Sequence, residues 1–258
     1  MRGDVRNIVV LTGAGVSAES GLATFRGPDG LWEGHRIEDV CTPQALARDP
    51  ALVHGFYDAR RAKLAEVEPN AAHRALARLD AEWPGELLIV TQNVDDLHER
   101  AGAKRLLHMH GELKSALCAG CGARMPWEGP MSPESVRVER SRDTRFSTSL
   151  DANGDFEAAS CPACGAAVLR PDIVFFGEMP YEMERIDAAI ARADLFVSIG
   201  TSGAVYPAAG FVQTARHYGA RALELNLEPS AGSFLFSESR MGRASEIVPA
   251  WVDEMLAQ

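Results

Sequence analysis

The sequence predicts an α/β protein that carries a smaller inserted module. Five short apolar runs read as buried parallel strands, at residues 7–11, 86–90, 173–176, 195–199 and 221–227. Apolar residues recur at helical spacing in residues 43–67, 71–82, 188–193 and 208–218. The stretch 118–170 breaks this rhythm, because it holds two cysteine pairs and a polar segment at 131–160. We therefore expect helices on the sheet faces and a separate module around the cysteines.

Composition excludes several classes of protein. The 258 residues include 46% hydrophobic and 24% charged residues, as in folded globular proteins. The formal net charge of -10 argues against a general nucleic-acid binder. No apolar run approaches the roughly 18 residues of a membrane span, and Met1 to Asp4 show no signal-peptide pattern before the first predicted strand. We expect a soluble, cytoplasmic protein, a monomer with no membrane or nucleic-acid partner.

A glycine-containing turn follows the first predicted strand. In Gly13-Ala14-Gly15-Val16-Ser17-Ala18, backbone N–H groups at a helix start would hold a pyrophosphate, as in dinucleotide sites. The alternative is an ordinary strand-to-helix turn that needs small residues. A dehydrogenase would add a second strand ending in an acid about 20 residues later. Here Asp29 and Glu33 fall in a loop, which weakens the case for hydride transfer.

Two Cys-x-x-Cys-Gly knuckles indicate a zinc site. Cys118, Cys121, Cys161 and Cys164 supply four thiolates, which satisfy tetrahedral zinc without an open position, so the ion would be structural rather than catalytic. The gap between the pairs is longer than in common zinc ribbons, and the polar segment accounts for the excess. The fifth cysteine, Cys41, is expected to be a buried small residue.

Polar residues follow the second predicted strand. Gln92, Asn93 and Asp95 would lie at a carboxyl end of the sheet, where ligands bind, and suit a polar ring or a ribose. The alternative is a helix cap by Asn93 or Asp95. Further along, His110 precedes a glycine and is placed to act as a base, whereas His108 is expected to be structural.

Taken together, these motifs resemble the sirtuin family over residues 7–256. The match adds Ser20-Gly21, Phe25-Arg26, Phe176-Gly177-Glu178, Gly200-Thr201-Ser202 and Asn226, in the family's order. The resemblance implies a Rossmann-like parallel sheet with helices on both faces (residues 1–26, 71–111 and 173–258). It also implies a small zinc-ribbon and helical domain (27–70 and 112–172), with the substrate entering the cleft between the two domains.

The resemblance also implies which residues bind NAD and substrate. NAD, consumed as cosubstrate, would contact the residues Gly13, Ala14, Gly15, Ser17, Ala18, Glu19, Phe25, Arg26, Trp32, Gln92, Asn93, Asp95, Gly200, Thr201, Ser202, Asn226, Leu227, Glu228 and Ala244. His110 would be the catalytic base. Acylated proteins or peptides would pair as an added strand with Val174, Phe175, Phe176, Gly177 and Glu178.

The pair Tyr57-x-x-Arg60 resembles the class III branch of the family, which removes acidic acyl groups from lysine. In a helix the two side chains share a face, and together they would bind the carboxylate of a succinyl or malonyl group. The alternative is that Tyr57 packs inside the module and Arg60 is a solvated charge like Arg61. Cys41, where class III relatives usually have alanine, would narrow the acyl pocket.

The resemblance implies an NAD-dependent deacylase that acts on succinyl- and malonyl-lysine, and also on acetyl-lysine. It would release nicotinamide, free lysine and O-acyl-ADP-ribose, with His110 taking a proton from the ribose hydroxyls. An NAD-linked dehydrogenase is the enzymatic alternative, and turnover would change its nicotinamide absorbance. A zinc-ribbon binding module is the other alternative, and it would lack affinity for NAD.

Overall fold

The structure is a computed structural model that describes residues 5–23, 32, 34–131 and 158–257. The chain divides into two compact units. Unit 1 comprises Met1–Phe25, Val67–His110 and Pro180–Gln258, and unit 2 comprises Arg26–Glu66 and Gly111–Met179. These divisions differ from the predicted boundaries mainly at residues 67–70, which fall in unit 1, and at 173–179, which fall in unit 2.

Nine strands and nine α-helices are formed by the described residues. The strands are β1 (Asn7–Thr12), β2 (Glu86–Thr91), β3 (Leu106–His108), β4 (Gly111–Cys118), β5 (Arg124–Pro126), β6 (Leu169–Ile173), β7 (Leu195–Ile199), β8 (Arg221–Asn226) and β9 (Glu238–Met241). The helices are α1 (Gly15–Ala18), α2 (Ile37–Val40), α3 (Pro43–Arg48), α4 (Pro50–Leu64), α5 (Ala71–Glu82), α6 (Leu97–Ala101), α7 (Met183–Ile190), α8 (Phe211–His217) and α9 (Ala244–Leu256).

Unit 1 is built on a six-stranded parallel sheet with the order β3-β2-β1-β7-β8-β9. Side chains alternate between its faces, so Val10 packs with α5 and α9, while Val9 packs with α7 and α8. The strands are apolar on both sides because both faces are covered. The predicted α/β fold, a Rossmann-like parallel sheet with helices on both faces, is confirmed.

The strand order reverses between β1 and β7. In open α/β sheets, ligands bind beyond the carboxyl ends of the strands at such a reversal. The glycine turn follows β1, and Gly200 follows β7 directly. The Gly13 N–H donates to the Ile199 carbonyl at 3.0 Å, so the two strand ends are joined at this point.

Unit 2 combines a three-stranded antiparallel sheet, in the order β5-β4-β6, with α2, α3 and α4. Arg61 links α4 to this sheet. Its guanidinium pairs with Asp58 at 2.6 Å and donates to the Leu113 carbonyl at 2.6 Å. The expectation that Arg61 is a solvated charge was therefore wrong, because these partners hold it in the interior of the unit.

Two other predictions about elements need correction. Residues 173–176 do not form a parallel strand, because β6 ends at Ile173 and pairs antiparallel with β4. The helical stretch 43–67 is two helices, since Pro50 begins a new one and Asp49 caps it by accepting from the Leu52 N–H at 2.9 Å. Among the described residues, no helix has the length and apolar character needed to cross a membrane.

Candidate active site

The glycines of unit 1 allow two backbone turns to approach closely. A side chain at Gly13 or Gly15 would place its Cβ 2.8 Å from the Gly200 carbonyl oxygen. Gly200 itself has φ of +60°, and a Cβ there would lie 2.5 Å from the Val16 nitrogen. The turns after β1 and β7 therefore depend on glycine at these three positions.

Most N–H groups of the first turn already have partners inside unit 1. Gly15 donates to the Gly200 carbonyl at 2.8 Å, and Val16 and Ser17 donate within the turn at 3.1 Å. Together with the Gly13 bond to β7, this leaves Ala14 as the residue of the turn whose N–H has no described partner. Pyrophosphate binding by this turn stays a prediction, and within the described turn the Ala14 N–H is the group left for it.

A buried polar network lies behind this turn. The Ser17 hydroxyl donates to Asp95 Oδ2 at 3.0 Å and accepts from Asn93 Nδ2 at 3.1 Å. Asp95 Oδ1 accepts from the Leu97 N–H at 3.1 Å, so Asp95 also supports the first turn of α6, whose N-cap residue is Asp96. Burial raises the pKa of Asp95, although these donors partly oppose the effect. The network brings together three of the residues predicted to surround the nicotinamide ribose.

Two histidines that the sequence analysis did not consider support this network. The Asn70 N–H donates to His73 Nδ1 at 3.3 Å, so Nε2 of His73 carries the proton and donates to Ser17 Oγ at 3.3 Å. His98 packs edge-on against His73, with ring centroids 4.9 Å apart, and its Nε2 contacts Thr12 Oγ1 at 3.1 Å. The sequence could have revealed His73, because Asn70 and His73 have the spacing of a reciprocal cap, which they form at the start of α5.

His110 has the geometry of a base. Its Nδ1 lies 3.3 Å from the Gln92 carbonyl oxygen, which only accepts, so Nδ1 carries the proton and the Nε2 lone pair remains. Burial lowers the pKa of His110, and the bond to Gln92 partly opposes that shift. The imidazole is therefore neutral at pH 7. By contrast, His108 has partners on both ring nitrogens, the Asn93 carbonyl and Glu99, as expected of a structural residue.

Residues predicted for the adenosine side hold two loops of unit 1 together. Asn226 Nδ2 donates to the Thr201 carbonyl at 2.8 Å, its Oδ1 accepts from the Leu227 N–H at 3.1 Å, and the Ser202 carbonyl accepts from Ala231 at 3.0 Å. Below them, Glu224 was missed by the sequence analysis. Burial opposes its ionisation, but hydrogen bonds from three serines keep its pKa below the usual value; the serines are Ser230, Ser233 and Ser239.

Other residues predicted to contact NAD fall into three groups. Glu19 accepts from the backbone and hydroxyl of Ser245 at 3.0 and 2.6 Å, so it caps α9, which begins at Ala244. Glu228 is exposed just past β8. Phe25 and Arg26 lie outside the described residues.

The site fits a ligand that bears a ribose and an amide. Hydroxyl, amide and carboxylate groups gather beyond the carboxyl ends of β1 and β2, and Gln92 reaches across to Thr201 Oγ1 at 3.2 Å. Neutral His110 supplies an acceptor there. This donor and acceptor set suits the nicotinamide ribose half of NAD, for which the sequence had predicted it.

The four cysteines of the two knuckles meet within unit 2. Cys118 and Cys164 have their sulfurs 3.7 Å apart, and Cys121 and Cys161 are separated by 3.9 Å. A tetrahedron with zinc–sulfur bonds of about 2.3 Å has edges of about 3.8 Å, so these separations fit zinc. Each knuckle ends in a glycine with positive φ, Gly122 at +74° and Gly165 at +75°. The cluster suits one structural zinc ion, as predicted; most of the polar segment beside it, residues 132–157, lies outside the described residues.

An aromatic and cationic cluster surrounds α4 in unit 2. The Arg60 guanidinium carbon lies 4.1 Å from the Trp32 ring centroid and 4.9 Å from that of Phe56. Tyr57 is fully buried on the same helix face, and burial raises its pKa well above 10, with the Cys41 thiol raising it further. Trp32, predicted to contact NAD, is thus placed with Tyr57 and Arg60. Cys41 is also buried here and takes no part in the cysteine cluster.

The segment 174–178, predicted to pair with the substrate, follows β6. The Phe176 N–H donates to the Cys41 carbonyl at 3.0 Å, and the Phe175 N–H donates to Glu178 Oε2 at 2.8 Å. Among the described residues, the N–H groups of Val174 and Gly177 have no partner. Glu178 is engaged inside unit 2 rather than facing outward as a free carboxylate.

Acid should destabilise the protein below pH 6.5. Burial lowers the pKa of His54 and His73 to about 4 and that of His98 well below 6.5. As the pH falls, histidines of the unfolded chain, which have ordinary pKa values, take up protons before those of the folded chain. The contribution of these histidines to the free energy of unfolding is therefore complete above pH 6.5 and is lost as the pH falls toward 4. Each of the first two residues contributes at most about 3 kcal/mol of this loss. Asp95, whose pKa is raised, opposes it, but the three histidines outweigh one carboxyl.

Urea unfolding at pH 7, 6 and 5 measures this effect. We expect the free energy of unfolding to decrease steadily across the series. An unfolding free energy that stays constant from pH 7 to 5 would contradict the neutral, buried state of these histidines.

Comparison with known proteins gives concordant matches. A family model described as the Sir2 family matches residues 13–207. An NAD-dependent protein deacylase of Caulobacter vibrioides is 51% identical over 261 residues, covering 100% of this chain and 100% of that protein. Another, of Vibrio parahaemolyticus, is 52% identical over 255 residues, covering 98% and 96%. Among solved structures, a Sir2 homologue–NAD complex matches with a TM-score of 0.81 and 35% identity, covering 98% of this chain and 91% of that one.

Proposed function

Because this chain belongs to the Sir2 family and is an NAD-dependent protein deacylase, we propose that it acts chiefly on lysines carrying acidic acyl groups. Succinyl and malonyl groups are the preferred substrates in this proposal, and acetyl is a weaker one. The products are nicotinamide, free lysine and O-acyl-ADP-ribose. The observation that carries the proposal is the pairing of Tyr57 and Arg60 on one face of α4.

The Arg60 guanidinium is held in place before any substrate arrives. Contact with the Trp32 and Phe56 rings restricts its rotamers, so less conformational entropy is lost when a carboxylate binds. A guanidinium offers a carboxylate two parallel charge-assisted hydrogen bonds. An acetyl group has no oxygen pair to receive them.

Tyr57 adds a donor that stays protonated. Its raised pKa keeps the phenol neutral at physiological pH, so its hydroxyl is able to donate to a carboxylate. The Cys41 thiol is its polar neighbour and a weak hydrogen-bond acceptor. An acyl carboxylate is a stronger, charged acceptor for this buried hydroxyl.

For the chemistry itself, bound NAD supplies the ribose carbon from which nicotinamide leaves. Residues of unit 1 prepare the surroundings of that carbon. Asn93 donates a hydrogen bond to the Ser17 hydroxyl, which in turn donates to Asp95. These bonds hold the carboxylate of Asp95 behind the proposed nicotinamide ribose site. Nδ1 of His110 carries a proton and donates it in a hydrogen bond to the Gln92 carbonyl. Nε2 is therefore the nitrogen that accepts a proton from a ribose hydroxyl.

The protein substrate is proposed to bind along residues 174–178 as an added strand. Val174 and Gly177 offer N–H groups without partners among the described residues, which suits pairing with a peptide backbone.

A reducing compartment such as the cytoplasm is part of the proposal, because the five cysteines form no disulfide and four of them are grouped as metal ligands.

The Arg60→Met variant tests the acyl preference. Loss of a charged hydrogen-bond partner costs about 1.5–3 kcal/mol, so KM for succinyl- and malonyl-lysine peptides should rise about 10- to 100-fold. KM for the matched acetyl-lysine peptide should change little. Steady-state kinetics on the three peptides measures the difference.

Arg48→Met is the matched control, because Arg48 also lies in unit 2 but forms an exposed ion pair with Asp39 at 2.8 Å. It should leave all three KM values unchanged. Equal losses on all three peptides in Arg60→Met would mean that Arg60 supports the fold or the NAD site instead of the acyl carboxylate.

A further inference from the structure

We infer that Arg170 is a positioning residue, which holds the segment 174–178 in the shape that binds the acyl-lysine substrate. This inference rests on the proposed binding of the substrate along that segment. The sequence analysis did not single out Arg170, and it lies on β6, before the segment begins. It is largely buried, with 9% of its surface exposed.

The side chain of Arg170 forms a bidentate ion pair with Glu178. Nη1 donates to Oε1 and Nη2 donates to Oε2, both at 2.8 Å. The paired side chains retain only 11% and 29% of their exposure, so water screens the pair less than at an open surface. Bidentate arginine–carboxylate pairs fix orientation as well as distance.

This ion pair helps to fix the backbone conformation of the segment 174–178. Glu178 Oε2 also accepts from the Phe175 N–H at 2.8 Å, while the Glu178 N–H donates to the Phe175 carbonyl at 2.9 Å. The same guanidinium donates to the Ile173 carbonyl at 3.4 Å. The turn 173–178 is therefore closed around one guanidinium, and Gly177, with φ of +92°, supplies the conformation that the closure needs.

Arg170 also connects the peptide segment to the acyl end of the site. Its guanidinium carbon lies 4.5 Å from the Phe175 ring centroid, and Phe175 stacks on Tyr57 with centroids 6.0 Å apart and planes inclined by 27°. The Phe176 N–H is bound to the Cys41 carbonyl on the same side of unit 2. A shift of Arg170 would therefore move both the backbone that pairs with the peptide and the ring that supports Tyr57.

A lysine cannot perform this role. Its ammonium is a point charge without the planar fork that binds both oxygens of Glu178, and it stacks less well on an aromatic ring. Arg170→Lys therefore keeps the charge but removes the geometry. Glu178→Gln keeps the size of its side chain but removes the charge from the other partner.

The test compares Arg170→Lys, Glu178→Gln and the double variant with the wild-type enzyme. KM for acetyl-, malonyl- and succinyl-lysine peptides should rise by a similar factor of about 10 in each variant, because the shared peptide backbone loses its partner. KM for NAD should stay within about twofold of wild type. The double variant should be no worse than either single variant, since both changes break one interaction.

Matched controls separate positioning from folding. Arg48→Lys alters an exposed ion pair in the same unit and should leave every KM unchanged. One zinc per chain and an unchanged circular dichroism spectrum establish that the variants are folded. If Arg170→Lys fails to fold, Glu178→Gln still decides the question, because it perturbs the same bond from the exposed side.

Two results would overturn the inference: a folded Glu178→Gln or Arg170→Lys enzyme with wild-type KM for all peptides, or equal rises in KM for peptide and for NAD. A different result would contradict only the acyl preference proposed above. If the wild-type enzyme used acetyl-lysine and ignored succinyl-lysine, that preference would fail, while the comparison at Arg170 would still be made on the acetyl peptide.

Discussion

The His110→Ala variant is expected to lose deacylation almost completely, with kcat lowered about 10²- to 10⁴-fold. The physical reason is the state of the imidazole. Burial keeps it neutral at pH 7, and the bond from Nδ1 to the Gln92 carbonyl reserves Nε2 for accepting a proton. Alanine offers no acceptor at that position, so the ribose hydroxyl would keep its proton.

NAD affinity and folding should change little in this variant, since His110 is not part of the apolar clusters of unit 1. Turnover, NAD binding by calorimetry and circular dichroism measure the three properties separately. His217→Ala is the matched control, because it removes an exposed imidazole from α8 of the same unit. Near-normal turnover in His110→Ala would rule out His110 as the base.

Replacing Cys161 with serine is expected to release the zinc ion and unfold unit 2. Structural zinc binding in zinc-finger peptides contributes about 10–16 kcal/mol, which is comparable to the whole stability of a typical domain. Two of the four cysteines, Cys118 and Cys161, belong to a small apolar core with Ala116, Met131 and Leu169, so the loss of the ion disturbs that core. Loss of activity should follow from unfolding.

Elemental analysis should give one zinc per chain for the wild-type protein and much less for Cys161→Ser. The fifth cysteine supplies the control, because Cys41 stands apart from the cluster and Cys41→Ser should keep its zinc. A wild-type protein without zinc, in which the four knuckle thiols react freely in the native state, would contradict the assignment.

Local sequence patterns predicted most elements of the fold. Apolar runs with turns after them predicted β1, β2, β7 and β8, and the Cys-x-x-Cys-Gly repeats predicted the cysteine cluster, because each signal lies within a few neighbouring residues. The apolar run at 173–176 misled for the same reason. It has the composition of a buried strand, but its N–H groups bind a side chain and a distant carbonyl, which the local sequence does not reveal.

The residues that support the site were harder to predict, since their partners lie far along the chain. His73 meets Ser17 from 56 residues away, and Arg61 finds its partner Leu113 52 residues further on. A charge at helical spacing reads as solvated until the sheet that covers it is known. The same holds for Glu224, whose serine partners arrive from the following loop and strand.

This chain uses NAD to remove acyl groups from protein lysines, and the preference proposed for it is for acidic acyl groups. The most direct test incubates the zinc-loaded protein with NAD and matched acetyl-, malonyl- and succinyl-lysine peptides, and follows all products by mass spectrometry. We predict equimolar nicotinamide, deacylated peptide and O-acyl-ADP-ribose, formed fastest from the succinyl and malonyl peptides and absent without NAD. Deacylation that proceeds equally without NAD, or no deacylation of any of the three peptides, would contradict NAD-dependent deacylation by this chain.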